Sequence, residues 1–247
     1  MSEKFPNAPL AEAVFELRVP EAVSWDEELA EDFLRAQIAD LPVRDDVQHP
    51  MVEIQNAPNG TLSPVVRELI QKRSYSENRT QFVITQERQI SVHIVRPYST
   101  WEQFRPFILN TLSKLPAQVK LGRPERLGLR YVNNIFLDEK SPKLENYFEY
   151  GILLGQKLPQ TLLGFSVQSI IEFQEGRDAC RLLMNPCPSI QPEKSGFVLD
   201  IDYFLTKVGS LDFSNVKDWL DEAHGSIESI FLGSLTDKMK DIFRKSL

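Results

Sequence analysis

The chain has 247 residues, of which 42% are hydrophobic and 26% are charged, and such values are ordinary for a folded protein of one large or two small domains. Its formal net charge of −7 disfavours unspecific attraction to nucleic acid and to anionic membrane surfaces. No stretch approaches the roughly 18 apolar residues of a membrane span, and the first residues lack the basic and apolar pattern of a secretory signal. We therefore expect a cytoplasmic protein.

The first half of the sequence predicts the order strand, helix, three strands, helix. Apolar and polar side chains alternate over residues 13–19, which predicts a strand. Apolar residues at helical spacing between Trp25 and Ile38 predict a helix with Ser24 as its N-cap. The remaining predicted elements of this half are strands at residues 65–73, 80–86 and 89–95 and a helix at residues 101–115.

Residues 43–63 depart from this regular pattern. They combine prolines, asparagines and a glycine with little hydrophobic periodicity. Such a composition is typical of turns and loops. We predict an irregular or mobile loop here, and its length suggests either a function of its own or disorder.

The second half of the sequence predicts a similar order. A strand at residues 126–137 is followed by a short helical segment within residues 142–154. Three more strands are predicted at residues 163–173, 179–184 and 197–205. The final long helix begins after Ser214, its predicted N-cap, and carries an apolar stripe around Trp219, and a short terminal helix starts near Leu235.

The doubled order predicts an α+β fold. We expect a mainly antiparallel sheet built from two similar halves, each with the order strand, helix, three strands, helix, and with the helices packed on one face. The first repeat spans residues 1–120 and the second spans residues 121–247. No linker or low-complexity tract separates them, so the repeats are predicted to form one compact unit.

The sequence contains none of the common catalytic motifs. No serine lies in a nucleophile-elbow context, no glycine-rich phosphate loop is present, and the three histidines are scattered. Cys180 and Cys187 lack the second pair or the nearby histidine of a zinc site, and we expect both to be reduced. We therefore predict no catalytic residue, no metal and no cofactor.

The aspartate pair of the last predicted strand is the strongest candidate for a catalytic or metal-binding site. Asp200 and Asp202 share one face, and paired carboxylates can share a proton or bind a divalent metal. A hydrolase or nuclease site would need a further ligand and a distant base, and the strand offers neither. The sequence favours the other interpretation, a polar sheet face whose carboxylates pair with arginines of the strand at residues 126–137.

A second polar cluster lies in the strand that begins the second half. Arg130 is predicted to form a cross-strand ion pair with Asp200 or Asp202. Asn133 shares a face with Tyr131 and must satisfy its amide group by hydrogen bonds if that face is buried. The predicted binding residues, which form either a functional surface or a structural hub, are Arg130, Tyr131, Asn133, Asn134, Asp200 and Asp202.

Three parts of the sequence resemble a bacterial family. They are residues 9–17 (PLAEAVFEL), residues 128–134 (GLRYVNN), and residues 199–202 (LDID) together with the helix at residues 219–231. They are similar to a sporadically distributed family of uncharacterised bacterial proteins of similar length. The patchy distribution of that family implies mobile genes, which often serve defence or toxin control. The resemblance implies no activity and no site residue.

The doubled element order is also similar to the tandem modules of gyrase-inhibitor-like small-molecule-binding domains. Those domains often use a glutamate or a tryptophan in their central groove, and this chain could offer Glu172 or Trp101. Similarity at the level of the fold does not establish a function.

The function that we expect from the sequence is protein recognition without catalysis. The chain would bind a partner protein as a regulatory or neutralising component of a bacterial defence or toxin system. The alternative is a sensor that binds a small molecule in the groove between the halves. A homodimer is compatible with the sequence, whereas no membrane is expected and nucleic acid is disfavoured by the acidic charge.

Overall fold

The computed structural model describes residues 5–56, 62–97, 100–152, 154–155, 157–159, 164–189, 191 and 193–245, with all their side chains except those of residues 49, 51–56 and 62–68. In this part of the chain the fold is α+β, with a large antiparallel sheet and four α-helices, as the sequence predicts. The strands are β1 (Leu10–Arg18), β2 (Val43–Arg44), β3 (Val47–Asn56), β4 (Leu62–Tyr75), β5 (Gln81–Gln86), β6 (Gln89–Val95), β7 (Arg126–Leu137), β8 (Val167–Phe173), β9 (Asp178–Cys187) and β10 (Ser195–Leu205). The α-helices are α1 (Glu27–Ala36), α2 (Trp101–Ser113), α3 (Val216–Gly233) and α4 (Asp237–Arg244). A search of these described residues finds no helix with the length and apolar character that a membrane crossing requires.

The chain divides into two compact units. The C-terminal unit contains Met1–Val14 and Gly128–Leu247, and the central unit contains Phe15–Leu127. Strands β1 and β7 each contribute residues to both units. The C-terminal unit thus includes the first residues of the chain, whereas the sequence prediction places a boundary at residue 120.

The central unit combines antiparallel strands with α1 and α2. Strand β5 pairs with β4 on one side and with β6 on the other. Val83 on β5 lies directly opposite Val92 on β6, and both side chains are fully buried. The end of α1 is joined to α2 by a hydrogen bond of 3.3 Å, which the buried Gln37 side chain donates to the carbonyl oxygen of Thr111.

The N-cap of helix α1 lies two residues after the one that the sequence predicts. Its N-cap is Asp26, whose carboxylate accepts the N–H of Leu29 at 2.9 Å. The extended backbone of Asp26 aims the side chain at an amide that has no partner inside the helix. The prediction of Ser24 as the cap is therefore wrong, because both residue types can cap and only the backbone geometry distinguishes them.

The irregular loop predicted at residues 43–63 is replaced by regular strands. The segment contains β2, β3 and the start of β4, while residues 57–61 lie outside the described part of the chain. Strand β3 pairs antiparallel with β4 from Val47 opposite Gln71 to Asn56 opposite Leu62. The loop prediction is wrong because this pairing satisfies backbone groups between distant residues, and a composition window cannot detect such partners.

The C-terminal unit is a sheet with β7, β10, β9 and β8 in this order. Each neighbouring pair in this series is antiparallel. The residues of β7 and β10 alternate between a buried face and a polar face, so the register decides which residues meet. The apolar face is filled by side chains that include Leu129, Ile135, Leu199, Ile201 and Tyr203.

Helix α3 packs on β10 with the apolar stripe that the sequence predicts. Trp219 is buried, and its ring centroid lies 5.9 Å from that of Tyr203 on β10. The start of the helix differs from the prediction, because a short 3-10 helix at Phe213–Asn215 precedes α3. Ser214 lies inside this turn and donates its backbone N–H to the carboxylate of Asp212, so it does not cap α3.

Candidate functional site

The pairing of β7 with β10 brings the predicted site residues together but divides them between two faces. Arg130 lies opposite Asp202, and Asn133 lies opposite Leu199. Because side chains alternate along a strand, Arg130 and the two aspartates share the polar face with Asn134, whereas Tyr131 and Asn133 point to the buried face. The six residues therefore form two separate clusters, one on each side of the sheet.

The polar face contains the ion pair that the sequence predicts. The guanidinium of Arg130 donates two hydrogen bonds to Asp200, from Nε to Oδ1 at 2.8 Å and from a terminal nitrogen to Oδ2 at 2.7 Å. The Asp200 side chain is only 4% exposed, while that of Arg130 is 44% exposed. Hydrogen bonding to Asp200 raises the pKa of Arg130 above its ordinary value. This two-bond geometry fixes the position of the Asp200 side chain beneath the arginine.

A second arginine, which the sequence analysis did not single out, also lies beside the two aspartates. Arg181 on β9 lies directly opposite Asp202 on β10. Its guanidinium is 3.3 Å from an Asp202 oxygen and 4.0 Å from an Asp200 oxygen. Both aspartates are thus neutralised by arginines on neighbouring strands. Only the strand order could have identified Arg181, because the hairpin that carries it has no distinctive local motif.

The two arginines and the two aspartates of the polar face form a structural ion-pair network. A divalent cation would have to displace guanidinium groups from both carboxylates, which makes the pair a poor metal ligand. Among the described residues, no group of three or more histidine, cysteine, aspartate or glutamate side chains is arranged to hold a metal ion. The neighbouring thiol of Cys180 is buried beside these aspartates, and its pKa is raised to about 12, so it is protonated at neutral pH.

Two of the predicted binding residues, Tyr131 and Asn133, form side-chain hydrogen bonds on the buried face. The Tyr131 hydroxyl and Nδ1 of His224 on α3 are 3.0 Å apart. The Asn133 side chain is buried and donates its amide to the Leu199 carbonyl at 3.1 Å. The Tyr131 hydrogen bond therefore connects β7 to α3, and the Asn133 hydrogen bond connects β7 to β10. Asn134 contributes through its backbone, whose N–H donates to the carbonyl of Pro9 at 2.9 Å.

We expect Arg130→Ala to lower the free energy of unfolding by about 1–3 kcal/mol, because it leaves the buried Asp200 without its two-bond partner. Arg130→Lys keeps the charge and should lose about half as much, since an ammonium cannot reproduce the paired bonds. Urea denaturation measures both losses. The control is Arg35→Ala, which removes an exposed ion pair with Asp32 and should change stability by less than about 0.5 kcal/mol. Wild-type stability in Arg130→Ala would contradict the structural role.

The sequence analysis missed a buried polar cluster around Asp178, the first residue of β9. The Asp178 side chain is fully buried and accepts hydrogen bonds from the Tyr203 hydroxyl at 3.0 Å and from Trp219 Nε1 at 3.2 Å. Arg177 also donates to Asp178, at 2.6 Å, and reaches Glu222 on α3 at the same distance. Burial, followed by the charge of Asp178, raises the pKa of the Tyr203 hydroxyl, which stays neutral. The hydrogen bonds of Asp178 connect β9 to β10 and to α3.

The two residues proposed from the gyrase-inhibitor-like similarity lie in different units. Glu172 is exposed on β8 of the C-terminal unit, and Trp101 is the half-buried first residue of α2 in the central unit. Comparisons of this chain with family models, with curated proteins and with solved structures found no match.

Proposed function

We propose that this chain is a non-enzymatic binding protein that adds an extended segment of a partner protein to the edge of its sheet at β8. The observation that carries the proposal is the exposure of this edge strand. Ile170 is 66% exposed and Ile171 is 38% exposed, although the two side chains point to opposite faces of the sheet. Large apolar residues exposed on both faces of an edge strand are a feature of strand-addition sites.

The backbone of β8 supports the same proposal. Within the described residues β8 pairs only with β9, from Val167 opposite Met184 to Phe173 opposite Asp178. In an antiparallel pair, alternate residues direct their N–H and C=O groups away from the partner strand. These outward groups are the ones that a further strand would bind.

The sequence of β8 lacks the usual protection of an edge. Natural edge strands are commonly guarded by proline, by lysine or by a bulge. The seven residues of β8 (VQSIIEF) contain no proline or lysine, and Glu172 is their only charged residue. The pairing with β9 also runs without a bulge over all seven positions. The edge is therefore open to pairing.

Charge favours a basic partner over a second copy of this chain. The chain has a net charge of −7, and self-association would bring two acidic molecules together. Glu172 lies within β8 and Glu175 lies two residues after its end, so a partner strand with a lysine or arginine at this end would be complementary. We therefore propose an apolar, extended partner segment with a basic residue near Glu172.

Two expectations from the sequence stay proposals beside this one. A neutralising component of a defence or toxin system would bind its target in this manner, which is the role that the family resemblance suggests. The arrangement of two similar halves with their helices on one face is also retained as a prediction. Recognition at β8 depends on neither of them.

The test compares the tagged wild-type chain with Ile170→Lys after expression in the native host. A lysine at this exposed position should change stability by less than about 0.5 kcal/mol. The matched control is Val208→Lys, at a site that is 69% exposed and outside β8. We expect one protein to be recovered with the wild type and with Val208→Lys, and to be depleted about tenfold with Ile170→Lys.

A protein recovered from a lysate supports the proposal only after its complex with this chain has been reconstituted from purified components. The purified partner should slow hydrogen exchange at alternate amides of Val167–Phe173 in a complex of defined stoichiometry. Equal recovery by Ile170→Lys would disprove binding at β8. A purified wild-type dimer that Ile170→Lys converts to a monomer would show that the occupant is a second copy instead.

A further inference from the structure

Residues 47–56 of β3 and residues 62–71 of β4 form a two-stranded arm in the central unit. Each residue of one strand lies opposite one residue of the other along the whole arm. Strand β5 pairs with β4 only from Lys72 onward, so within the described residues the arm has no third strand. Ten residues at about 3.3 Å each extend about 33 Å. A ribbon of only two strands is marginally stable in water and gains stability by packing on another layer.

One face of the arm continues the face of the sheet that α1 covers. On β4 the buried Ser74 lies on this face, and so does Lys72, whose ammonium is 2.9 Å from a Glu27 oxygen on α1. The next residue of β4 on this face, Ile70, is 41% exposed, and Gln48, directly opposite on β3, is also exposed. The cover that α1 provides therefore ends between Lys72 and Ile70.

Beyond this point the same face consists mainly of apolar residues. Strand residues alternate between the two faces, so every second position of the arm shares a face with Ile70. The further positions on this face are Pro50, Val52, Ile54, Asn56, Leu62, Pro64, Val66 and Glu68. We call these positions, with Gln48 and Ile70, the arm face. Glu68 is its only charged residue. Such an apolar band is typical of an interaction surface.

The prolines of the arm disfavour contact through its edges. Pro50 lies in β3 and Pro64 lies in β4, one in each strand. A proline has no backbone N–H, so it cannot donate to a further strand, and natural proteins use it to block pairing at an edge. The arm differs in this respect from β8, which has no proline. Its contact surface is therefore the arm face and not the edge.

From these observations we infer that the arm face is a self-association surface, on which the arm face of a second copy of this chain packs about a two-fold axis. A two-fold contact joins the same patch on both copies, so each arm covers the other. The two arms form two layers about 10 Å apart, which supplies the packing that a single ribbon lacks. This inference does not rest on the function proposed for β8.

The size of the arm matches what a stable dimer needs. Standard interfaces bury about 800 Å² on each partner through about 20–30 residues, which is roughly 30–40 Å² per residue. The arm pairs ten residues of β3 with ten of β4. In contact along its full length, it would bury about 600–800 Å² on each copy. The total of about 1,200–1,600 Å² lies within the range of specific, stable interfaces.

Charge permits this contact although the whole chain is acidic. The charged residues of the arm are Glu53, Arg67 and Glu68, so the arm contributes only −1 to the net charge of −7. At physiological salt, exposed charges more than about 8 Å apart are largely screened. A face with a single carboxylate does not select a strongly charged partner, whereas the equally apolar arm face of a second copy is complementary to it.

Sedimentation velocity of the purified full chain at physiological salt tests the inference. We expect the dimer to predominate at about 50 µM and to dissociate on dilution, since interfaces of this size begin at micromolar affinity. Val66→Lys places a charge on the arm face of both copies and should weaken the dimer at least about a hundredfold. The matched control is Val65→Lys, the same change on the opposite face of the same strand, which should leave the dimer intact.

Ile170→Lys separates this inference from the proposed function. It removes the apolar contact of β8 and leaves the arm unchanged, so the variant should remain a dimer. If Ile170→Lys alone gives a monomer, the two copies meet at β8 and the inference about the arm is wrong. If Ile170→Lys loses the partner protein and keeps the dimer, the two surfaces act independently.

Two further measurements distinguish lost association from lost folding. Hydrogen exchange at the arm amides should slow as the protein concentration rises from about 1 to about 200 µM in the wild type, but not in Val66→Lys. Urea denaturation at about 1 µM should give the same midpoint for Val66→Lys and Val65→Lys. Unfolding of Val66→Lys alone at this concentration would place the arm face in the core of a single copy and overturn the inference.

The state of the wild type decides the remaining outcomes. A wild type that stays monomeric at about 200 µM would overturn the inference in favour of a different protein as the occupant of the arm face. A dimer that survives Val66→Lys would overturn it as well. Equal loss of the dimer in Val65→Lys and Val66→Lys would show that the contact does not use one face of the arm.

Discussion

Replacing Asp178 by alanine is expected to lower the free energy of unfolding by about 3–5 kcal/mol, which is the usual cost of removing one partner from a buried charged cluster. The variant removes the carboxylate that accepts hydrogen bonds from the buried Tyr203 hydroxyl and from the buried Trp219 indole N–H. Arg177 contributes less to this loss, because its side chain is partly exposed and keeps its bond to Glu222. A loss of this size is a large fraction of the stability of a typical domain.

Urea denaturation followed by tryptophan fluorescence measures this effect. Asp178→Asn keeps one acceptor oxygen and should fall between the wild type and Asp178→Ala. The control is Asp218→Ala, an exposed aspartate on α3, which should change stability by less than about 0.5 kcal/mol. A loss below about 1 kcal/mol for Asp178→Ala would show that the three elements are joined by other contacts.

Trp219→Ala is expected to have an effect of similar size, about 3–5 kcal/mol, as for other large side chains removed from a core. Trp219 is 1% exposed and packs against Tyr203, so its removal leaves a cavity between α3 and β10. Trp219→Phe keeps most of the packing and removes the N–H that Asp178 accepts. It should cost about 1–3 kcal/mol.

A double-mutant cycle separates packing from hydrogen bonding at this position. Trp219→Phe and Asp178→Ala remove the two ends of one bond, and their effects should differ from additivity by about 0.5–3 kcal/mol. Val208→Ala, at an exposed site, is the control for the alanine change. If Trp219→Ala costs less than about 1 kcal/mol, α3 is not packed on the sheet as described.

Local periodicity was sufficient to predict the elements that carry most of the C-terminal unit. Strand β7 has the predicted bounds, and the stripe of α3 around Trp219 is buried as predicted. The sequence also predicted that Arg130 pairs with Asp200 or Asp202, and in the structure it bonds to Asp200, 70 residues away. It could be predicted because only a few strands offered a partner charge and the face of each residue is set by alternation.

Other features depend on contacts that no local window contains. Strands β2 and β3 and the start of β4 were predicted as a loop because their pairing, and not their composition, makes them regular. Arg181 was missed because nothing local marks β9 as the neighbour of β10. Asp178 lies just before the strand predicted at residues 179–184, and its bond to Trp219, 41 residues away, requires the packing of α3.

The sequence by itself determined the α+β class, the position of the main strands and helices, and which face of each strand is apolar, because these properties follow from the spacing of side chains along one segment. The tertiary structure alone decided that β8 is an edge among the described strands and that two arginines enclose the aspartates. These features arise from strand order and helix docking. Such long-range contacts are set by the burial of the whole chain, and no single segment encodes them.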